Sequence, residues 1–94
     1  MERTWTAVLQ QSPSRGGWTY VVLPGTAELF GTRGRVEGRV AVDGEAYRTS
    51  FMALGDGTHK LPVRAEVRRV IGKQAGDEVE VRLLQRVSAA SAAG

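Results

Sequence analysis

Apolar and polar positions alternate from residue 3 to residue 11, with Trp5, Ala7 and Leu9 on one side and Thr4, Thr6, Val8 and Gln10 on the other. A period of two over that length predicts a half-buried strand. Residues 12–17, dense in Ser, Pro and Gly, read as a loop, and residues 18–23, rich in aromatic and β-branched types, as a second strand. Pro24 then suits the first turn of a short helix over residues 24–30, which Gly31 stops. Residues 33–42 alternate again, with Val36, Val40 and Val42 beside Gly34 and Gly38 on the inner side. Glycines inside such a strand predict a sharp bend or a close backbone crossing. Asp43-Gly44 is a type I′ hairpin signal leading into a strand over residues 45–54. Gly55-Asp56-Gly57 closes that strand, and residues 58–63 form the fifth. A second helix spans residues 64–73, with Val67, Val70 and Ile71 on one side and Arg64 and Arg68 one turn apart on another. The last strand, residues 78–87, points Val79, Val81, Leu83 and Val87 inward. Residues 88–94, all Ser, Ala and Gly, read as a disordered tail.

The pattern repeats. Leu-Pro-x-x-Ala-Glu occurs at Leu23-Pro24 with Ala27-Glu28 and again at Leu61-Pro62 with Ala65-Glu66, a spacing of 38. Beyond the helices, Val36-Glu37-Gly38-Arg39-Val40 matches Val79-Glu80-Val81-Arg82-Leu83 at a spacing of 43, as a longer second helix and turn require. Each half, residues 3–42 and 45–87, reads strand, strand, short helix, strand. Neither half can bury a two-faced sheet alone, so the two are expected to pack about an approximate two-fold axis into one domain. The expectation is a mainly β fold of six strands with two short helices. A chain that carries both halves has no need of a second copy to close its sheet, and a monomer is expected.

Composition narrows the class. At 94 residues with 41% hydrophobic and 24% charged residues, the chain suits one ordinary globular domain. Its apolar runs are too short to span a membrane, no apolar signal region follows Met1, and cysteine is absent. A cytoplasmic protein held by core packing is expected. The net charge is +3, and eleven of the thirteen basic residues are Arg. Acidic residues interrupt the basic ones throughout, which favours a general compositional bias over a polyanion-binding stripe.

Several motifs together carry a family resemblance. Lys60-Leu61-Pro62, the helix over residues 64–71 and Gly76-Asp77-Glu78-Val79-Glu80-Val81 resemble the swapped-hairpin unit of AbrB-type transition regulators, which are DNA-binding dimers. Across residues 3–87 the chain is similar to bacterial domain-of-unknown-function family 1905. The matching features are Trp18-x-Tyr20-Val21-x-Leu23-Pro24, Phe30-Gly31-x-Arg33-Gly34, Asp43-Gly44, Arg48-Thr49-Ser50, Gly55-Asp56-Gly57-x-His59, and Arg68 with Ile71-Gly72-Lys73 and Gly76-Asp77-x-Val79. The resemblance implies a double-split β-barrel in which one chain supplies both halves, and it implies no activity.

Candidate chemistry is sparse. His59, the only histidine, follows the Gly55-Asp56-Gly57 turn and reads either as a hydrogen-bonding structural residue or, with Asp56, as a polar binding point. With no Cys and no second His, no metal site and no cofactor is expected. Ser50 and Thr49 supply hydroxyls that His59 would have to reach for nucleophilic chemistry, and cross-strand hydrogen bonding accounts for them better. Trp18 and Tyr20 share a strand face and point either into a groove or beneath a helix. The leading expectation is a non-catalytic module that binds an unknown small molecule or protein through Trp18, Tyr20, Arg48 and His59. The alternative is an AbrB-like nucleic-acid binder using Arg33, Arg35, Arg64, Arg68 and Lys73, with Glu37, Glu66 and Glu80 interrupting the basic surface. A small hydrolytic enzyme stands a remote third.

Overall fold

A computed structural model describes residues 3–13 and 18–89. Seven strands and two short helices follow one another as β1 (Arg3–Val8), β2 (Gln10–Gln11), β3 (Thr19–Leu23), α1 (Thr26–Phe30), β4 (Val36–Val42), β5 (Glu45–Ala53), β6 (His59–Pro62), α2 (Ala65–Ile71) and β7 (Glu78–Ala89). Every strand pairing is antiparallel, in the order β1-β7-β4-β5-β6-β3-β2. The two ends of that order are consecutive in the chain, so the sheet curls into a nearly closed barrel.

Seven strands replace the expected six because the first one breaks at Leu9. Before it the chain pairs with β7, and after it with β3. Leu9 turns its side chain into the core, 1% exposed, while its N–H donates to Asp77 O and its O accepts from Gly76 N–H, both at 2.8 Å. A strand that changes partners at a corner keeps its inward alternation, so the break leaves no mark in the pattern.

The pairings are symmetric about the spacings of the repeat. Val22 stands opposite Lys60, 38 residues on, at the middle of the β3–β6 pair. Val40 stands opposite Leu83, 43 residues on, in the β4–β7 pair. The core lies between these two antiparallel pairs and includes Val21, Leu23, Val40, Phe51, Leu61 and Val81, all fully buried. Phe30 meets Phe51 edge-on at 5.0 Å between centroids. Burial of each such side chain favours folding by about 1.5–3 kcal/mol.

Local differences from the sequence reading have local causes. Pro24 does not start a helix, because Gly25 takes a left-handed conformation (φ +72°) and the two form a turn ahead of Thr26. The second helix likewise starts at Ala65 rather than Arg64, whose backbone is extended, and stops at the left-handed Gly72. Val70 is exposed while Val67 is buried and Ile71 half-buried, since a two-turn helix lying on a curved sheet presents a narrow stripe to it. Val87 is also exposed rather than inward. Register shifts at Glu37/Gly38 and Arg39/Val40 interrupt the β4–β7 ladder and end the clean alternation beyond Leu83. Gly38 marks that crossing. A Cβ there would sit 2.6 Å from Gln85 O and 3.3 Å from Phe51 Cε1. The hairpin at Asp43 (φ 48°) and Gly44 (φ 87°) has the two positive φ values of a type I′ turn. β7 takes in Ser88 and Ala89 from the expected tail, and residues 90–94 lie outside the described residues. Among the described residues no helix is long and apolar enough to cross a membrane.

Candidate functional site

Where β6 passes into α2, the chain opens a groove of about 420 Å³ lined by Trp18, Thr19, Thr49, Ser50, Pro62, Val63, Arg64, Ala65 and Arg68. Three segments build it. The entry into β3 contributes Trp18 and Thr19, the middle of β5 contributes Thr49 and Ser50, and residues 62–68 cross above them. Val63 N–H donates to Thr19 O at 2.9 Å, which keeps the chain extended across the groove before α2 begins. Thr19 and Thr49 are 7% exposed and Val63 1%, so the floor is buried, whereas Trp18 is 48% exposed at the rim.

Two guanidiniums stand over this floor. Arg68 Nε donates to Val63 O at 3.1 Å, which folds the side chain back along α2 and fixes the plane of its two terminal nitrogens. Arg64, one helical turn earlier, is 60% exposed along its side chain and meets Glu66 at 3.9 Å, the limit of an ion pair. Beneath it, Tyr47 donates its hydroxyl to Pro62 O at 2.9 Å. Burial pushes the Tyr47 phenol well above its ordinary pKa, with the nearby Arg64 pulling the other way. The neutral phenol is therefore a fixed strut of the groove rather than a proton carrier.

The rim carries a third cation. Lys60 Nζ lies 5.5 Å from the Trp18 ring centroid and 4.9 Å from that of Tyr20. Such contacts are worth about 0.5–1 kcal/mol each at exposed sites. They hold Trp18 and Tyr20 outward on β3, while Thr19 and Val21 point in.

The structure separates the other residues singled out by sequence. His59 is fully buried and has no surface to offer a ligand. Its Nε2 lies 2.9 Å from Gly34 O and its Nδ1 2.7 Å from Thr26 Oγ1. A carbonyl only accepts, so Nε2 donates to Gly34 O, while Nδ1 meets the Thr26 hydroxyl, which itself donates to Leu23 O at 3.0 Å. That ring joins β6 to α1 and to the loop after it. Asp56 does not pair with His59. It accepts from the Thr58 hydroxyl and from Thr58 N–H, and these bonds, side chain first, hold its carboxyl below the usual range. Arg48 neighbours Thr49 and Ser50 in sequence but is bonded to Glu37 at 3.1 Å, as is Arg35 at 2.9 Å. The two arginines, Arg35 foremost, depress the Glu37 carboxyl. Tyr20 is outside the groove.

Of the five basic residues considered for nucleic acid, only Arg64 and Arg68 share the groove. Arg33 lines a hollow beside α1, Arg35 is held by Glu37, and Lys73 is held by Asp43 at 2.9 Å and Glu78 O at 2.7 Å. Sequence reasoning had no reason to join Thr19, Pro62, Val63 and Ala65 to Trp18, and it passed over Lys60. The one available signal was the register of β3 on β6, which sets Val22 opposite Lys60 and so brings Lys60 between the side chains of the outer face. Among the described residues no group of three or more His, Cys, Asp or Glu is placed to hold a metal ion.

Residues 5–83 match the family described as Domain of unknown function (DUF1905), which covers most of the chain. No protein with a curated description matches.

Proposed function

The chain belongs to that family, whose description names no activity, and we propose that it is a non-catalytic binding module whose groove between β3, β5 and α2 takes a small molecule bearing a negative charge. The observation that carries this reading is the convergence of Arg64 and Arg68 over a buried floor that includes Thr19 and Thr49. Concave sites of roughly 300–1,000 Å³ with a few converging polar groups are where small ligands bind. Among the described residues no carboxylate lines the groove, and the nearest acid to its arginines in an ion pair is Glu66, at the long distance of 3.9 Å from Arg64. Nothing in it resembles a nucleophile beside an oriented base, because the histidine is spent on Thr26 and Gly34.

This reading is favoured over a nucleic-acid surface because Arg35, Arg48 and Lys73 are already paired with acids. The chain also closes its own sheet, so we take the monomer as the working unit. Titration of the ¹⁵N-labelled protein with inorganic phosphate, citrate and benzoate tests the site. Saturable shifts confined to the amides of residues 18–19, 49–50 and 63–68, lost in Arg68→Gln, are expected. Shifts spread over the whole basic surface, or none at millimolar anion, would remove the groove from consideration.

A further inference from the structure

We propose, building on the binding reading above, that the groove selects a phosphorylated planar ring: the phosphate of a nucleotide between Arg64 and Arg68, and its base against Trp18. The argument begins with donor count. A carboxylate has two oxygens and is satisfied by one guanidinium face, bidentate. Here a second arginine stands one turn away and Thr19 and Thr49 line the same groove, which is surplus for a carboxylate and suited to the three outward oxygens of a phosphate. Arg68 is pre-set for this task. With Nε committed to Val63 O, its terminal nitrogens are oriented and make no hydrogen bond or ion pair among the described residues. Arg64 has only the long Glu66 contact to give up.

The second half of the argument is the rim. Among the described residues Trp18 is the only aromatic one lining the groove, and it remains half-exposed although the barrel has a core to bury it in. Lys60 holds the indole in place from the β6 side. An exposed, fixed indole beside an anion site is the arrangement on which a base stacks, as aromatic platforms do for single-stranded nucleic acids. Every base has a π-face, and among the described residues no lining side chain is an amide or carboxylate that would read base edges. The structure therefore assigns a site indifferent to base identity and demanding of phosphate.

A free nucleotide and the 5′-phosphorylated end of a single strand share this chemistry, and the test separates them. The full chain is titrated at low salt with AMP, GMP, inorganic phosphate, adenosine, and a short oligonucleotide with and without a 5′-phosphate. Amide shifts and tryptophan fluorescence are followed together. AMP and GMP are expected to bind alike, and about tenfold more tightly than phosphate alone, with adenosine weaker still. Trp18→Leu should remove the tenfold margin and leave phosphate binding unchanged, while Arg68→Gln should weaken both. A phosphorylated strand that matches AMP identifies the free nucleotide as sufficient, and one that binds more tightly identifies a strand end. Equal binding of AMP and phosphate, unaffected by Trp18→Leu, overturns the nucleotide but leaves an anion-binding groove. Groove shifts with citrate or benzoate and none with nucleotides do the same. A strand that binds equally without its phosphate also overturns it. Silence of the groove amides toward every probe removes both proposals.

Discussion

Counted from each Leu-Pro pair, Phe30 and Arg68 occupy the same place in the two halves of the molecule, one buried at 4% exposure and the other lining the groove. The strands behind them correspond in the same way. Trp5 stands opposite Val81 as Thr49 stands opposite Gly38, and Val81 and Gly38 are themselves matched by the repeat. In each half an aromatic donor secures the proline carbonyl. Trp5 Nε1 reaches Pro24 O at 3.2 Å, and the Tyr47 hydroxyl reaches Pro62 O at 2.9 Å. The two donors do not come from matched positions. Tyr47 lies two residues before Thr49, so the place that the Trp5 indole fills in the first half is left to a small hydroxyl side chain in the second. At these matched places the first half sets Trp5 and Phe30 in the core, and the second sets Thr49 and Arg68 at a concave site. One backbone plan serves two ends, and side-chain volume decides which.

Opening the filled half is the severest way to break this contrast. Trp5 is 8% exposed, and Trp5→Ala removes its indole together with the bond to Pro24 O. Large-to-small changes of this kind cost about 3–5 kcal/mol, read as a shift in the urea midpoint at unchanged slope. Trp18→Leu at the open end should cost well under 1 kcal/mol, as for surface positions generally. Equal losses at the two tryptophans would show that the filled and open ends do not divide core from site.

The next prediction concerns the crossing on which the two halves meet. Gly38 has Val81 as its counterpart, and only glycine fits the nearer position, with Gln85 O 2.6 Å from where a Cβ would stand. That obstacle is backbone on a paired strand and cannot swing aside. Gly38→Ala should destabilise by about 1–3 kcal/mol through overpacking, even though alanine at an open strand position would ordinarily help. A neutral or stabilising result would mean that the β4–β7 ladder is looser than its geometry.

How much of this was visible beforehand follows from the kind of signal each feature leaves. Alternation named the inward residues of β1 and β4 correctly, because burial on one face is a property of the strand itself. Gly38 advertised its crossing, and Asp43-Gly44 its turn, because both demand a special residue. The break at Leu9 was silent, since a change of partner need not disturb the inward period. Val87 was misplaced for the opposite reason: the irregular β4–β7 register disturbs the period without any residue announcing it. The groove was legible only in pieces. Trp18, Arg64 and Arg68 stood out by type, but Thr19, Thr49 and Val63 are ordinary residues that matter through long-range pairing. Likewise nothing about His59 foretold that it would meet Thr26 and Gly34, respectively 33 and 25 residues away in sequence. Residue-by-residue comparison of the repeats holds the missing information, because Phe30 against Arg68 is a substitution that no shared core would make.

The smallest expected effect tests how the halves are tied outside the core. Asp43, at the hairpin that joins the two halves, accepts from Glu80 N–H at 2.8 Å and pairs with Lys73 at 2.9 Å, both from the second. Burial pushes its carboxyl up, but the Glu80 amide and the Lys73 ammonium together outweigh burial and hold its pKa below the ordinary value. A carboxyl depressed in the folded state contributes stability above its unfolded pKa and loses it as pH falls through the folded one. Asp43→Ala should therefore cost about 1 kcal/mol at pH 7. The gap to the parent protein should narrow as pH drops below about 4. Lys73→Met should cost less, since the amide bond survives it. Denaturation midpoints measured from pH 7 to pH 3 decide the matter. A gap that stays constant across that range would assign the tie to turn geometry alone, and the polar link between the closed half and the open half would then carry no weight.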